Sequence, residues 1–175
     1  MRFSVLLVWV AGCLMLAGPV SVSRAGADDR DTCDRGTGDE AIAACTRLIN
    51  SGRWPDLARS YTNRGNAYDD KGDHDRAITD YNEAIRLDPK DANAYVTRGN
   101  AYDEKGDHDR AITDYNEAIR FDPQDFNAYS NRGVAYANKG DYDRAIADYD
   151  QAIKLDPNFP EAIKNRADAI AKRGH

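Results

Sequence analysis

Residues 58–91 read ARSYTNRGNAYDDKGDHDRAITDYNEAIRLDPKD, and residues 92–125 read ANAYVTRGNAYDEKGDHDRAITDYNEAIRFDPQD. Of these 34 aligned positions, 27 are identical. Residues 126–159 (FNAYSNRGVAYANKGDYDRAIADYDQAIKLDPNF) repeat the pattern with more drift. A period of 34 residues predicts stacked helical hairpins, each burying its apolar face only against its neighbours. Such a chain presents a surface and does not enclose a catalytic pocket.

Each recurring residue has a local reason. Gly65, Gly99 and Gly133 fall in the middle of the first helix of each pair. Glycine costs about 1 kcal/mol there relative to alanine, and close approach of the second helix through residues such as Ala77 and Ala84 is the expected offset. Gly72, Gly106 and Gly140 end the first helix, where a left-handed residue costs least. Asp73, Asp107 and Asp141 follow as caps of the second helix, and Pro89, Pro123 and Pro157 stop it. Ala77, Ile78, Tyr81, Ala84 and Ile85 form one buried helical stripe. The recurring tyrosines read as core residues whose hydroxyls reach the edge.

The pattern resembles the tetratricopeptide repeat (TPR). The aromatic, Gly, aromatic, Gly, Ala, aromatic, Ala and Pro positions of that repeat are Tyr61, Gly65, Tyr68, Gly72, Ala77, Tyr81, Ala84 and Pro89 in the first copy. The second copy has Tyr95, Gly99, Tyr102, Gly106, Ala111, Tyr115, Ala118 and Pro123, and the third has Tyr129, Gly133, Tyr136, Gly140, Ala145, Tyr149, Ala152 and Pro157. The resemblance implies an all-α solenoid of helical hairpins, wound as a right-handed superhelix. Residues 58–91, 92–125 and 126–159 are the three full repeats. Residues 39–57 form an N-terminal partial repeat, a second helix with no convincing first one. Residues 160–175 form a capping helix with Ile163, Arg166, Ala167 and Ile170 buried. Residues 28–38 (DDRDTCDRGTG) have almost no apolar content and are expected to be flexible loop.

The chain departs from the family where a Leu usually precedes the helix Gly: Arg64, Arg98, Arg132 and Arg166 stand there instead. Asp80, Asp114 and Asp148 recur one residue before the second-helix tyrosine. A ladder of Arg–Asp contacts is expected, with Arg98 pairing to Asp80 across the repeat boundary and Arg166 to Asp148. The within-repeat registry, Arg64 with Asp80, is the alternative.

The N-terminal segment has its own reading. Residues 1–27 combine a positive start, an apolar run and the small residues Ala25-Gly26-Ala27, which predict a secretory signal peptide. A membrane-anchoring helix is one alternative. A lipoprotein box at Val10-Ala11-Gly12-Cys13 is another, which would lipidate Cys13 and make the protein an envelope scaffold. Removal of residues 1–27 takes away two arginines and no acids, moving the formal charge from −6 to −8. That acidity argues against nucleic acid or a membrane surface as partner of the mature chain. It also leaves two cysteines, Cys33 and Cys45, expected to form a disulfide in a periplasmic or secreted setting.

In TPR proteins the ligand-facing positions lie on the first helices, which line the concave face. The resemblance assigns Arg59, Thr62, Asn66, Asp69 and Asp70 in the first repeat, and Asn93, Val96, Asn100, Asp103 and Glu104 in the second. The third offers Asn127, Ser130, Val134, Ala137 and Asn138. Some members grip a C-terminal carboxylate with a Lys/Asn/Arg clamp. Asn66 and Asn100 match its two Asn positions, but Thr62, Ser130 and Val134 stand where its cations belong. An acidic tail would be poorly compensated there, so a basic or neutral peptide or partner helix is the expected ligand.

Nothing in the sequence predicts catalysis. No nucleophile sits in a recognisable motif and no Gly-rich loop cradles phosphate, so no cofactor is expected. His74 and His108 are copies of one another a repeat apart, beside Asp73, Asp75, Asp107 and Asp109. Tyr142 holds the site in the third repeat, so the histidines read as replacements for an aromatic and not as metal ligands. A metal-dependent binder or enzyme accessory subunit is the remaining alternative, and the oligomeric state is left open.

Overall fold

The computed structural model describes residues 24–52 and 57–174. The expected signal peptide and Cys13 therefore lie almost wholly outside the described residues. Nine helices run through the described chain: α1 (Arg24–Arg35), α2 (Gly38–Ser51), α3 (Leu57–Asp69), α4 (His74–Leu87), α5 (Ala92–Glu104), α6 (His108–Phe121), α7 (Phe126–Asn138), α8 (Tyr142–Leu155) and α9 (Pro160–Arg173). Consecutive helices pack as antiparallel-type hairpin neighbours from α1 to α9. First helices also touch the next first helix, α3 with α5, α5 with α7 and α7 with α9. The result is an all-α hairpin solenoid.

The hairpin turns follow their residue types. Gly72, Gly106 and Gly140 have φ of +76°, +77° and +79°. In the first turn the Gly72 amide donates to the Asp69 carbonyl and the Asp73 amide to the Tyr68 carbonyl, the paired bonds of a Schellman ending. The Asp73, Asp107 and Asp141 side chains then accept from the amides of Arg76, Arg110 and Arg144. The same three arginine side chains bind these carboxylates and lie over Tyr68, Tyr102 and Tyr136 at 4.4, 4.3 and 4.4 Å.

These bonds hold the three capping carboxyls below their ordinary value of 3.8. A lowered folded-state pKa gives stability that is present above the unfolded value and lost as pH falls. The melting temperature should therefore drop as pH falls below 3.8. Replacing all three caps with Asn, which caps comparably but does not titrate, should flatten that slope in thermal melts at pH 5 to 2.5. An unchanged slope would place the acid sensitivity elsewhere.

Tyr81, Tyr115 and Tyr149 are each 1% exposed and form the centre of the hairpins. Their rings, and not the alanines, explain the mid-helix glycines. A Cβ on Gly65, Gly99 or Gly133 would lie 2.5, 2.7 or 2.7 Å from the Cε1 of Tyr81, Tyr115 or Tyr149. Ala77 instead clusters with Tyr81 and with Ala101 of the following repeat. Gly99→Ala should therefore destabilise by about 1–3 kcal/mol through overpacking, although alanine is the better helix former. Urea denaturation of the variant checks the sign.

Three expectations need correction. Residues 28–38 are not a loop: α1 covers most of them and packs on α2 and α3. Its helix is held by Cys33, disulfide-bonded to Cys45 with Cα atoms 4.9 Å apart, and by polar contacts. Arg47 binds Asp29 at 2.6 Å, Asn63 donates to Asp34 at 2.8 Å, and Arg59 pairs with Asp34 at 2.9 Å. The N-terminal half repeat is thus a complete hairpin.

The second correction concerns the capping helix. Ala162 and Ala169 are its buried residues, whereas Ile163 and Ile170 are 48% and 38% exposed. They occupy the positions of Tyr129 and Tyr136 in the repeat before, and no second helix covers them among the described residues.

The third is the registry of the ladder. Arg64, Arg98 and Arg132 each grip the Asp of their own repeat, Asp80, Asp114 and Asp148, through two bonds of 2.7–2.8 Å. The boundary is crossed by the third nitrogen, which reaches Thr46, Asn82 and Asn116 of the preceding hairpin. Arg166 has no following Asp and takes Asp150, the equivalent of Asn116, at 2.5 Å. A second ladder runs along the hairpin tips. Lys71, Lys105 and Lys139 reach back to Asp39, Asp75 and Asp109 of the previous hairpin, and Arg173 reaches Asp143 at 3.1 Å. These pairs are exposed and worth little individually.

Candidate functional site

The layer of first helices, α3, α5, α7 and α9, carries the residues assigned to a partner. Two of them offer no surface. Thr62 and Ser130 are 3% exposed, and the Thr62 hydroxyl donates back to the Ala58 carbonyl of its own helix. Val96 is half-buried, and Arg59 is tied to Asp34 of α1. Asn93 and Asn127 stay exposed at the starts of α5 and α7, where Asp91 and Asp125 cap their amides.

Of the others, Asp69, Asn100, Asp103, Glu104 and Val134 converge, and Asn66 and Asp70 stand outside their lining. Asp69, Asn100, Asp103, Glu104, Tyr115, Asn131 and Val134 line one open groove between the first two repeats and the third. Asn66 and Asn100 accept hydrogen bonds from the Tyr81 and Tyr115 hydroxyls, both at 2.8 Å. That bond orients each amide with its carbonyl oxygen toward the core, and for Asn100 it leaves the NH2 donors for the groove. Asn131, absent from the sequence-based set, donates to the same Asn100 oxygen at 3.0 Å. Burial pushes the Tyr81 and Tyr115 phenols well above their ordinary range, with nearby carboxylates adding to the effect. They remain protonated donors throughout the working pH range.

The histidines belong to this face as partners of its acids. His74 Nδ1 lies 2.7 Å from Asp69, and His108 Nδ1 lies 2.6 Å from Asp103. The signal was present in the repeats: Asp and His occur together in the first two, and Ala137 and Tyr142 replace both in the third. Each imidazole holds its carboxylate in one orientation across the helix turn. Asp70 and Glu104 lie beside them, exposed. Among the described residues, no group of three or more His, Cys, Asp or Glu side chains is placed to hold a metal ion.

The third repeat differs. A separate pocket between α7, α8 and α9 is lined by Val134, Ala137, Tyr142, Tyr149, Asn165 and Lys172, among others. Val134 stands where Asn66 and Asn100 stand, so the Tyr149 hydroxyl has no Asn partner. Burial and the carboxylates of Asp148, Asp103 and Asp168 push its phenol up to about 12.

Sequence comparison finds the TPR repeat model at residues 65–106 and 99–140, and the tetratricopeptide repeat model at residues 126–159. The crystal structure of MamA protein is similar at 26% identity, over 86% of this chain and 83% of that one, with a TM-score of 0.75. The first TPR of Spaghetti (RPAP3) bound to the HSP90 peptide SRMEEVD matches at 27% identity, over 67% of this chain and 94% of that one, with a TM-score of 0.66. The second TPR domain of human RPAP3 in complex with the HSP70 peptide SGPTIEEVD matches at 27% identity, over 65% and 94%, with a TM-score of 0.63. No curated protein sequence matches significantly. Repeat spacing, hairpin packing, family matches and structural neighbours agree: the chain belongs to the tetratricopeptide-repeat family.

Proposed function

We propose that this protein is a non-catalytic interaction module that takes a basic or neutral peptide, or a partner helix, on the concave face of its first helices. The observation that carries this reading is the groove itself, where Asp69, Asp103 and Glu104 stand beside the amides of Asn100 and Asn131. Carboxylates supply complementarity for cationic side chains. Side-chain amides donate to the carbonyls of an extended backbone. The related RPAP3 domains hold peptides ending in EEVD. This groove carries acids where such a tail would add more, so it suits the opposite charge.

The test is titration of a labelled arginine-rich peptide and of SRMEEVD against the native protein and a D69N/D70N/D103N/E104Q variant. The basic peptide should bind the native protein and weaken steeply with salt. The variant should lose about tenfold or more, and SRMEEVD should bind neither. Equal binding of the basic peptide to both proteins would move the site off this face.

We also place the protein in an exported, oxidising compartment, periplasmic or secreted. The Cys33–Cys45 disulfide and the apolar segment ahead of a small-residue site support this. The intact mass of the protein from its host is the check: loss of residues 1–27 is expected, and a lipid adduct on Cys13 would make it a membrane-tethered scaffold instead.

A further inference from the structure

The two halves of the peptide face differ in chemistry, and the difference is built from three coordinated changes. From the second repeat to the third, Asn100 becomes Val134, Asp103 becomes Ala137 and His108 becomes Tyr142. All three replacements line one pocket, with Tyr149 at its base. Each exchanges a polar or charged groove side chain for an apolar or aromatic one. The rim loses its net negative charge as well. The position held by Asp70 and Glu104 is Asn138 in the third repeat and Lys172 in α9, and both of these line the pocket. Asp168 also lines the pocket and offsets Lys172, so a cation is favoured over the first two repeats and gains no net attraction over the third. A concave site walled by Val134, Ala137, Tyr142 and Tyr149, with polar groups including Asn165, Asp168 and Lys172 at its opening, suits a single side-chain anchor.

Resting on the peptide-binding reading above, we infer that the groove is graded: its ligand presents cations to Asp69 and Asp103 and seats one aliphatic or aromatic side chain in the Val134–Ala137–Tyr142–Tyr149 pocket. The spacing follows from the stack. Neighbouring helices lie about 10 Å apart, and an extended peptide advances about 3.3 Å per residue. Consecutive repeats therefore address ligand residues about three apart. The ligand class is a peptide with cations three residues apart and an apolar residue three further on. The Tyr149 hydroxyl, without an Asn partner, is left to donate to the ligand backbone beside that anchor.

Acetylated, amidated heptapeptides RAARAAF, RAARAAA and RAARAAR, and their reversed sequences, are the probes, titrated by fluorescence or calorimetry. The native protein should bind the phenylalanine peptide about tenfold tighter than the alanine peptide, and the third arginine should not substitute for it. A V134N/A137D/Y142H variant converts the pocket to the residues of the second repeat, which the same hairpin already accommodates, and circular dichroism checks its fold. In this variant the preference should invert, with RAARAAR bound more tightly than RAARAAF. Equal binding of the phenylalanine and alanine peptides by the native protein overturns the graded groove and leaves the basic-peptide reading standing. An unchanged phenylalanine preference in the variant overturns the assignment of the anchor to this pocket. Absence of binding to all of these peptides overturns both readings.

Discussion

Arg98→Ala should cost about 3–5 kcal/mol of stability, the loss expected when one partner of a buried ion pair is removed. The Asp114 side chain is 5% exposed and both its oxygens accept from Arg98. Burial already pushes the Asp114 carboxyl above its ordinary value, against the pull of the guanidinium. Without Arg98, only the weaker attraction of Arg110 opposes that push. A raised folded-state pKa in a carboxyl gives stability that is present below the unfolded value and lost as pH rises through the folded one. The penalty of Arg98→Ala should thus be larger at pH 7 than at pH 4. Urea denaturation at both values measures it. R98M/D114L removes both charges, leaves no orphaned carboxylate and should cost less than the single change. The third Arg98 bond, to Asn82 at 2.6 Å, crosses to the preceding repeat. The single variant should therefore also weaken coupling between the first two repeats and lower the denaturant m-value. A loss below about 1 kcal/mol at pH 7 would mean that the pair behaves as a surface ion pair.

The hairpins and their ends were legible in the sequence because each demands a residue type. A positive φ asks for Gly72, a helix start for Asp73 and a helix stop for Pro89. The ladder was legible in its members and not in its registry. Arg98 has Asp80 and Asp114 at comparable sequence distances, and only the packing of α5 between its neighbours decides which one is reached. The first helix was illegible for a different reason. Apolar periodicity is the main sequence signal of a packed helix, and α1 has none. Among its residues 28–35, Cys33 alone is buried. In the groove, Asp69, Asn100, Asp103 and Glu104 were readable from their repeat positions. Thr62 and Ser130 are buried instead, because the same positions turn small hydroxyl side chains into the interior. Asn131 and the His–Asp pairs were visible only as differences between repeats, which acquire meaning once the copies are superposed in space.

Reduction of the Cys33–Cys45 bond should cost about 3 kcal/mol, the loop entropy released when a cross-link over a short loop is opened. The sequence separation is 12. The consequence should be local. Stability in a stacked repeat array is close to a sum of hairpin and nearest-neighbour terms, and α1 contacts only α2 and α3. Its other tethers include Arg47–Asp29, Arg59–Asp34 and Asn63–Asp34, largely exposed polar contacts of the kind that contribute little alone. Cys45 occupies the position that Tyr81, Tyr115 and Tyr149 hold in the other hairpins, so reduction also removes the covalent substitute for a buried aromatic. With reductant, or in a C33A/C45A variant, the amides of α1 should exchange with solvent far faster. Those of α5 to α8 should keep their protection, and α2 should lose part of its own. Hydrogen exchange followed by mass spectrometry resolves these segments. If α1 keeps its protection after reduction, polar contacts alone hold it, and the disulfide is not what closes the N-terminal end. If protection falls across the whole chain, the repeats fold as one cooperative unit, and the nearest-neighbour description fails for this solenoid.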